Sequence, residues 1–356
     1  HTAKGDAAGA AEHYRRGAQN IDTFDGLSGE LEDVELQRVD CGAVRDASDA
    51  PRRGPDPRSA RLGGRSWSGG PLPIAPPRTR RGAAPASGRR RGGARHPRPG
   101  DHRRPLADPA PVPCKVCREN SYLVGVVDFN KHCPAAPGFV LGQSGVPVYY
   151  RQCRSCGLVF TQHCDGWSPA DFAADIYNDQ YRTVDPDYVE ARPRANATLL
   201  NSIFGAHREQ LTCLDYGGGN GRLCELLRGF GFRHAQTFDP FDANATRPTG
   251  RSQLLTCFEV LEHVPWPHHT VADMVACIDK DGIAFFSTLV LPAEFPKLGL
   301  AWWYVAPRNG HITLYTRDGL AKLWAHHGFR FGSLNDNLHV AFREVPAFAA
   351  HLIKSA

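Results

Sequence analysis

Apolar positions change their spacing along this chain, and the changes mark its elements. After about residue 190, short apolar runs alternate with stretches whose apolar residues recur every three to four positions. LTCLDY (Leu211 to Tyr216) predicts a buried strand, and RLCELLRGFG predicts a helix stopped by Gly231. HAQTFDP and QLLTCFEV predict a second and a third strand, HHTVADMVACI a helix, and GIAFFSTLVLP a fourth strand. TRDGLAKLWAHHGF predicts another helix, with Thr316 as N-cap and Gly328 after the last turn. FRFGSLN and NLHVAFRE read as a terminal antiparallel hairpin. Strands alternating with helices predict an α/β fold, a doubly wound Rossmann-like sheet over residues 191–356.

Upstream the texture differs. From Pro113 to about Gln162, short apolar runs are separated by Gly and Pro, the pattern of small strands and turns, so residues 111–165 are read as one small module. Residues 166–190, polar and aromatic, predict one or two connecting helices. Residues 1–110 carry weak apolar periodicity, with IDTFDGLSGELEDVELQRV the one stretch able to form a short element. They are expected to be a disordered or low-complexity segment, because they cannot bury enough apolar surface to offset chain entropy. A fragment or an out-of-frame translation would have the same Arg, Pro, Gly and Ala bias.

Charge sharpens this division. Residues 51–104 hold 15 Arg against Asp56 and Asp101, about +13, so the other residues sum to about −8 within an overall +5. An arginine run can bind nucleic acid or acidic lipid, yet the part expected to fold is net acidic, which argues against a nucleic-acid partner. No run of about 18 apolar residues occurs, and the opening HTAKGDAAGA lacks the order of a secretory leader, so no membrane span and a cytoplasmic location are expected.

Four of the 11 cysteines fall in two C-x-x-C pairs, Cys114 with Cys117 and Cys153 with Cys156, 35 residues apart. Each pair puts two thiolates on one tight turn, and two such turns facing each other complete a tetrahedron around Zn2+. Four protein ligands leave no position for water, so the metal is expected to be structural, in a zinc ribbon. Lys115, Arg118, Arg154 and Ser155 suit exposed turns. His132, Cys133, His163 and Cys164 lack the paired spacing and are not taken as ligands.

The strand ending in Asp215 runs into Gly217, Gly218, Gly219 and Gly221, a turn whose backbone can approach a ligand while the next helix aims its amides there. Asp239 follows Gly221 by 18 residues at the end of the second strand, where a carboxylate can accept both hydroxyls of a ribose. A glycine-rich turn alone is shared with dinucleotide-binding enzymes. With these neighbours the sequence resembles class I S-adenosylmethionine-dependent methyltransferases. An acidic residue before G-x-G-x-G is their first motif, matched by Asp215, Gly217, Gly219 and Gly221. FDP matches the ribose-binding acid, CFEVLEHV looks like the fourth strand of the small-molecule and sugar-modifying branch, and GIAFFSTLVLP is similar to the fifth strand. The resemblance spans about 145 residues and implies that S-adenosylmethionine is the cofactor, with Glu259, Glu262 and His263 beside it at the carboxyl edge of the sheet. Only 20 positions separate Asp239 from Glu259, too few for a second crossover helix and a full third strand, so PFDANATRP is left to contact adenine.

The ribbon followed by CGLVFT and this core resembles sugar C-methyltransferases and related enzymes of bacterial polysaccharide clusters. That resemblance implies a small-molecule acceptor, with a nucleotide-linked sugar the finer expectation, and sets His311, Tyr315 and Thr316 over the cofactor. His311, at an ordinary imidazole pKa near ~6.5, would take the acceptor's proton, with Tyr315 beside it. The fuller His-x-His arrangement and the extra C-terminal domain are missing. His311 packed on Trp302 and Trp303 is the structural alternative, and Trp302, Trp303 and Tyr304 are either an aromatic wall or core. An RNA methyltransferase that grips RNA through the ribbon, or a non-catalytic binding module retaining the fold, are the other functions considered.

Overall fold

The computed structural model describes residues 110–134, 139–242 and 245–353. The arginine-rich segment and the 21–39 stretch lie outside the described residues, as do Ala243 and Asn244 of the proposed adenine segment.

The predicted alternation is present. β5 (Thr212–Tyr216), β6 (His234–Phe238), β7 (Ser252–Phe258) and β8 (Ile278–Ser287) are parallel, and the hairpin of β10 (Arg330–Ser333) and β11 (Leu338–Phe342) adds to β8 antiparallel. The order across the six-stranded sheet is β10-β11-β8-β7-β5-β6. Among the described residues nothing forms a strand between β6 and β7, as the short spacing predicted.

Side-chain alternation sends successive residues to opposite faces. Leu214, Tyr216, Leu255, Cys257, Ala284 and Phe286 pack with α4 (Pro267–Cys277) and α5 (Arg317–His326), through Val271, Met274, Leu320, Leu323 and Trp324. Cys213, Leu254, Ile283, Phe285 and Val340 face the other way. They meet α2 (Ala191–Phe204) and α3 (Arg222–Gly229) through Leu200, Phe204, Leu223 and Leu227. Sequence and structure agree on the cap of α5, where the Thr316 hydroxyl accepts from the Gly319 amide at 2.9 Å.

The connecting segment forms α1 (Pro169–Asp175), closed at its start by a Ser168–Asp171 capping box, then one-turn helical pieces at Tyr181–Val184 and Pro186–Tyr188.

The cysteine-bearing segment builds a second, antiparallel sheet: β1 (Val112–Pro113), β2 (Asn120–Asp128), β3 (Pro147–Cys153) and β4 (Val159–Thr161). Its fifth strand, β9 (Thr313–Leu314), comes from the far end of the chain and pairs with β4. Cys114, Cys153 and Cys156 pack in the same apolar cluster as α4 and α5. The Thr316 hydroxyl, while capping α5, donates to the Cys156 carbonyl, so one side chain joins helix and cysteine turn.

Candidate functional site

The glycine turn is shaped by the backbone. Gly217, Gly219 and Gly221 have φ of +75°, +52° and +77°, the left-handed region that only glycine enters at little cost. Gly218 is required for a different reason: a Cβ there would lie 2.1 Å from Asp215 Oδ2. Asp215, 3% exposed, accepts from the Thr256 hydroxyl at 2.9 Å on the neighbouring strand. Burial raises its carboxyl pKa to about 7, against the opposing pull of that hydrogen bond. Asp215 therefore sits beneath the turn and props it.

Asp239, half-buried just after β6, reaches across to the same turn. Its Oδ2 accepts from the Gly219 amide at 2.9 Å and its Oδ1 from the Phe241 amide at 2.8 Å. A Cβ built at Gly219 meets nothing within 4 Å. The turn therefore opens onto free space edged by a carboxylate, which fits an adenosyl ligand carrying a ribose. Phe241, 45% exposed, stands beside Asp239 with its ring 5.7 Å from Phe172.

Glu259 follows β7 with φ +52°, in the left-handed region though it is not glycine. Ser287 stabilises that conformation twice: its hydroxyl accepts from the Glu259 amide at 3.0 Å and donates to Glu259 Oε1 at 2.6 Å. Strain of this kind costs on the order of 1–3 kcal/mol and collects at functional sites. The chain then makes a helical turn, Leu261–His263, that carries the next two predicted residues inward.

Glu262 is fully buried; its Oε1 accepts from the Tyr304 hydroxyl at 2.6 Å, and Oε2 has no partner. Burial, reinforced by the nearby Glu259, pushes its pKa well above the carboxylate range. Nδ1 of His263 is buried against the Asn309–Gly310 backbone. Burial, then the His311 ring 5.1 Å away, pushes the His263 pKa well below the ordinary imidazole range. His311 joins them, with ligand-competent atoms of Glu262, His263 and His311 all within 4.8 Å of one another.

His311 departs from the sequence expectation in one respect. Burial lowers its pKa to about 3, so it does not have the ordinary value near ~6.5. Its Nδ1 lies 2.9 Å from the Tyr304 carbonyl, which can only accept, so Nδ1 carries the hydrogen and Nε2 the lone pair. The ring packs on Tyr304, centroids 4.1 Å apart, while Trp302 and Trp303 surround Tyr304 as part of an apolar cluster with Phe295 and Val305. Tyr315 is not grouped with these residues: fully buried, it donates its hydroxyl to the Leu261 carbonyl at 3.0 Å and anchors the turn that bears Glu262.

Three participants were missed from sequence. Tyr304 was read only as aromatic, yet it holds Glu262. Asp185 and Arg192 form a two-pronged ion pair, at 2.9 and 3.1 Å, whose charges act on His263. None of the three belongs to a recognisable motif.

At the other site, the four cysteine sulfurs lie within 4.8 Å of one another, with Cys114 Sγ 3.6 Å from Cys156 Sγ and Cys117 Sγ 3.4 Å from Cys153 Sγ. These separations are far too long for S–S bonds and close to the ~3.8 Å edge of a tetrahedron with zinc–sulfur bonds of about 2.3 Å. The two turns are alike. Residues after the second cysteine, Arg118 and Gly157, have φ of +66° and +73°, and backbone amides of Val116 and Cys156 point at Cys114 Sγ and Cys153 Sγ at 3.4 and 3.5 Å. The donor set thus fits a tetrahedral thiophilic ion. Lys115 corrects the picture of exposed turns: it is buried, donates to the Thr161 carbonyl at 2.8 Å and pairs with Asp165.

Comparison with known proteins gives the following. Residues 188–334 match the family model described as "Methyltransferase domain". Fifty residues are 42% identical to the ubiquinone biosynthesis O-methyltransferase of Bordetella avium (strain 197N), 14% of this chain and 21% of that protein. The chain thus spans about a fifth of the length of that curated relative. Among solved structures, Streptomyces venezuelae DesVI aligns at 15% identity over 49% of this chain and 98% of its own, with a TM-score of 0.34. Magnesium protoporphyrin IX methyltransferase (ChlM) of Synechocystis PCC 6803, with bound SAH, aligns at 14% over 43% and 82%, with a TM-score of 0.29. No helix among the described residues is long and apolar enough to cross a membrane. The glycine turn and the parallel sheet with its antiparallel hairpin make a mixed α/β, Rossmann-like methyltransferase fold, and residues 188–334 within it are the segment that matches the methyltransferase-domain model.

Proposed function

We propose that this chain transfers a methyl group from S-adenosylmethionine to a small-molecule acceptor, and that the acceptor is a nucleotide-linked sugar. The glycine turn with Asp239 would hold the cofactor, whose chemistry when bound is to supply an electrophilic methyl group. Asp215 and Gly218 keep the turn in shape, and Glu259, fixed by Ser287, borders it.

The observation that carries the acceptor reading is that Glu262 Oε2 and the neighbouring Thr288 hydroxyl are both buried with no partner at hydrogen-bond geometry. An unsatisfied buried polar atom costs about 1–3 kcal/mol, and a polyhydroxylated acceptor would satisfy both. His311 Nε2 carries the lone pair of the ring and is the atom assigned to take the acceptor's proton. A buried imidazolium is unfavourable in itself, and the Glu262 carboxyl beside it, held neutral by burial, would oppose that charge only after giving up its own proton. Binding and orientation by these fixed groups would supply much of the rate. Zinc, held by Cys114, Cys117, Cys153 and Cys156, is assigned a structural role, since all four ligands come from protein. The name of the Bordetella relative, which refers to ubiquinone, is consistent with a small-molecule acceptor. Incubating the protein with S-adenosylmethionine and a panel of nucleotide sugars tests the reading: formation of S-adenosylhomocysteine that requires one of them supports it. Turnover with an RNA and with no sugar would sink it.

A further inference from the structure

A second group of metal-binding side chains lies away from the cofactor site. His268, in the first turn of α4, meets His326 and His327 at the end of α5. Their ring centroids are 4.4, 5.3 and 5.1 Å apart, and one nitrogen from each lies within 4.8 Å of the others. Three features go beyond mere proximity. First, His268 Nδ1 and His327 Nε2 are 3.2 Å apart, a hydrogen bond in the metal-free protein whose length is close to the ~3.3 Å edge of two imidazole nitrogens bound at about 2.05 Å in a tetrahedron, so an ion would replace the shared proton. Second, His268 Nε2 lies 2.7 Å from the Val116 carbonyl; a carbonyl only accepts, so Nε2 carries the hydrogen and the Nδ1 lone pair is aimed into the cluster. Metal-bound histidines are oriented in this way by a backbone carbonyl on the other nitrogen. Third, His326 is exposed and its two neighbours are half-buried, so an ion can enter from solvent.

We propose that His268, His326 and His327 form a second metal site, for a borderline divalent ion of the zinc, nickel or cobalt class, with the fourth position open to water. Imidazole nitrogens select this class over calcium or magnesium. Val116 lies between Cys114 and Cys117, so an ion here would tie α4 and α5 to the first cysteine turn. The negative end of the α5 dipole, at His326, favours the cation.

Cobalt distinguishes this site from the cysteines, because thiolate ligation adds a ligand-to-metal charge-transfer band that imidazole ligation does not. The reduced 356-residue protein, with zinc loaded on the cysteines and excess removed, is titrated with Co2+. One saturable equivalent is expected, with tetrahedral d–d absorption and no thiolate band. His326→Ala, an exposed position that should fold normally, and His268→Ala should each weaken it at least about tenfold, and His269→Ala should leave it unchanged. Absence of saturable binding, a thiolate band showing that cobalt had entered the cysteine site instead, or equal affinity in the His326→Ala and His268→Ala proteins would overturn the proposal.

Discussion

Tyr304 donates its hydroxyl to Glu262 Oε1 at 2.6 Å, while Oε2 of the same buried carboxyl has no partner. One oxygen is thus fixed by the protein and the other left for a ligand. This asymmetry suits an acceptor with hydroxyl groups, and it distinguishes Glu262 from Asp215, whose location under the glycine turn gives it a supporting role.

The cysteine site is tested by composition. Freshly reduced protein should carry one zinc bound by the four cysteines, and Cys153→Ser should lose it and melt at lower temperature, because metal binding and folding are coupled. Elemental analysis that finds no zinc, or an undiminished zinc content in Cys153→Ser, would contradict the assignment.

Gly218 and Gly229, only 11 residues apart, should respond to alanine in opposite directions. At Gly218 the new methyl would overlap Asp215 Oδ2, and overpacking typically costs about 1–3 kcal/mol. At Gly229, the last residue of α3, nothing lies within 4 Å and alanine favours helix by up to about 1 kcal/mol. Thermal melts should show Gly218→Ala destabilised and Gly229→Ala unchanged or improved. Equal losses would mean that the Asp215 contact does not shape the turn.

Asp215 makes stability depend on pH. Its pKa rises from 3.8 to about 7 on folding, so the folded state holds a proton that the unfolded chain releases first. Its contribution is full below about pH 3.8 and is lost as pH climbs to about 7. Asp215→Asn, which cannot ionise, should gain on the wild type across that window in denaturant titrations of ligand-free protein. A difference independent of pH would show that Asp215 is ionised in the fold.

Much of this was legible because it is written in local spacing. The strand and helix order, the Thr316 cap, the terminal hairpin, the missing third strand and the grouping of the four cysteines all follow from periodicity, turn residues or pair spacing. What was hidden depends on contacts between distant segments. Thr313–Leu314 gives no sign of joining the cysteine sheet, and Lys115 looks solvated until Asp165 and Thr161 enclose it. The pKa of His311 falls with burial, which sequence does not report. Tyr315 sits one residue before a helix cap and looked available, yet its hydroxyl is committed to Leu261.

His311→Ala separates chemistry from binding. The proposed role is at the acceptor's proton, so cofactor affinity should stay within about twofold while turnover falls by about 10²-fold or more, the usual contribution of a positioned acid or base. Circular dichroism of the variant guards against simple unfolding. A parallel loss of cofactor affinity and melting temperature, with no separate effect on turnover, would make His311 a packing residue.

The central claim is that the glycine turn and Asp239 bind S-adenosylmethionine, and calorimetric titration measures it most directly. The wild type should bind with a dissociation constant in the micromolar range, about −8 kcal/mol. Asp239→Ala should bind at least tenfold more weakly, since hydrogen bonds to a charged carboxylate are worth about 1.5–3 kcal/mol each. Wild-type protein that shows no binding at millimolar cofactor would contradict the account.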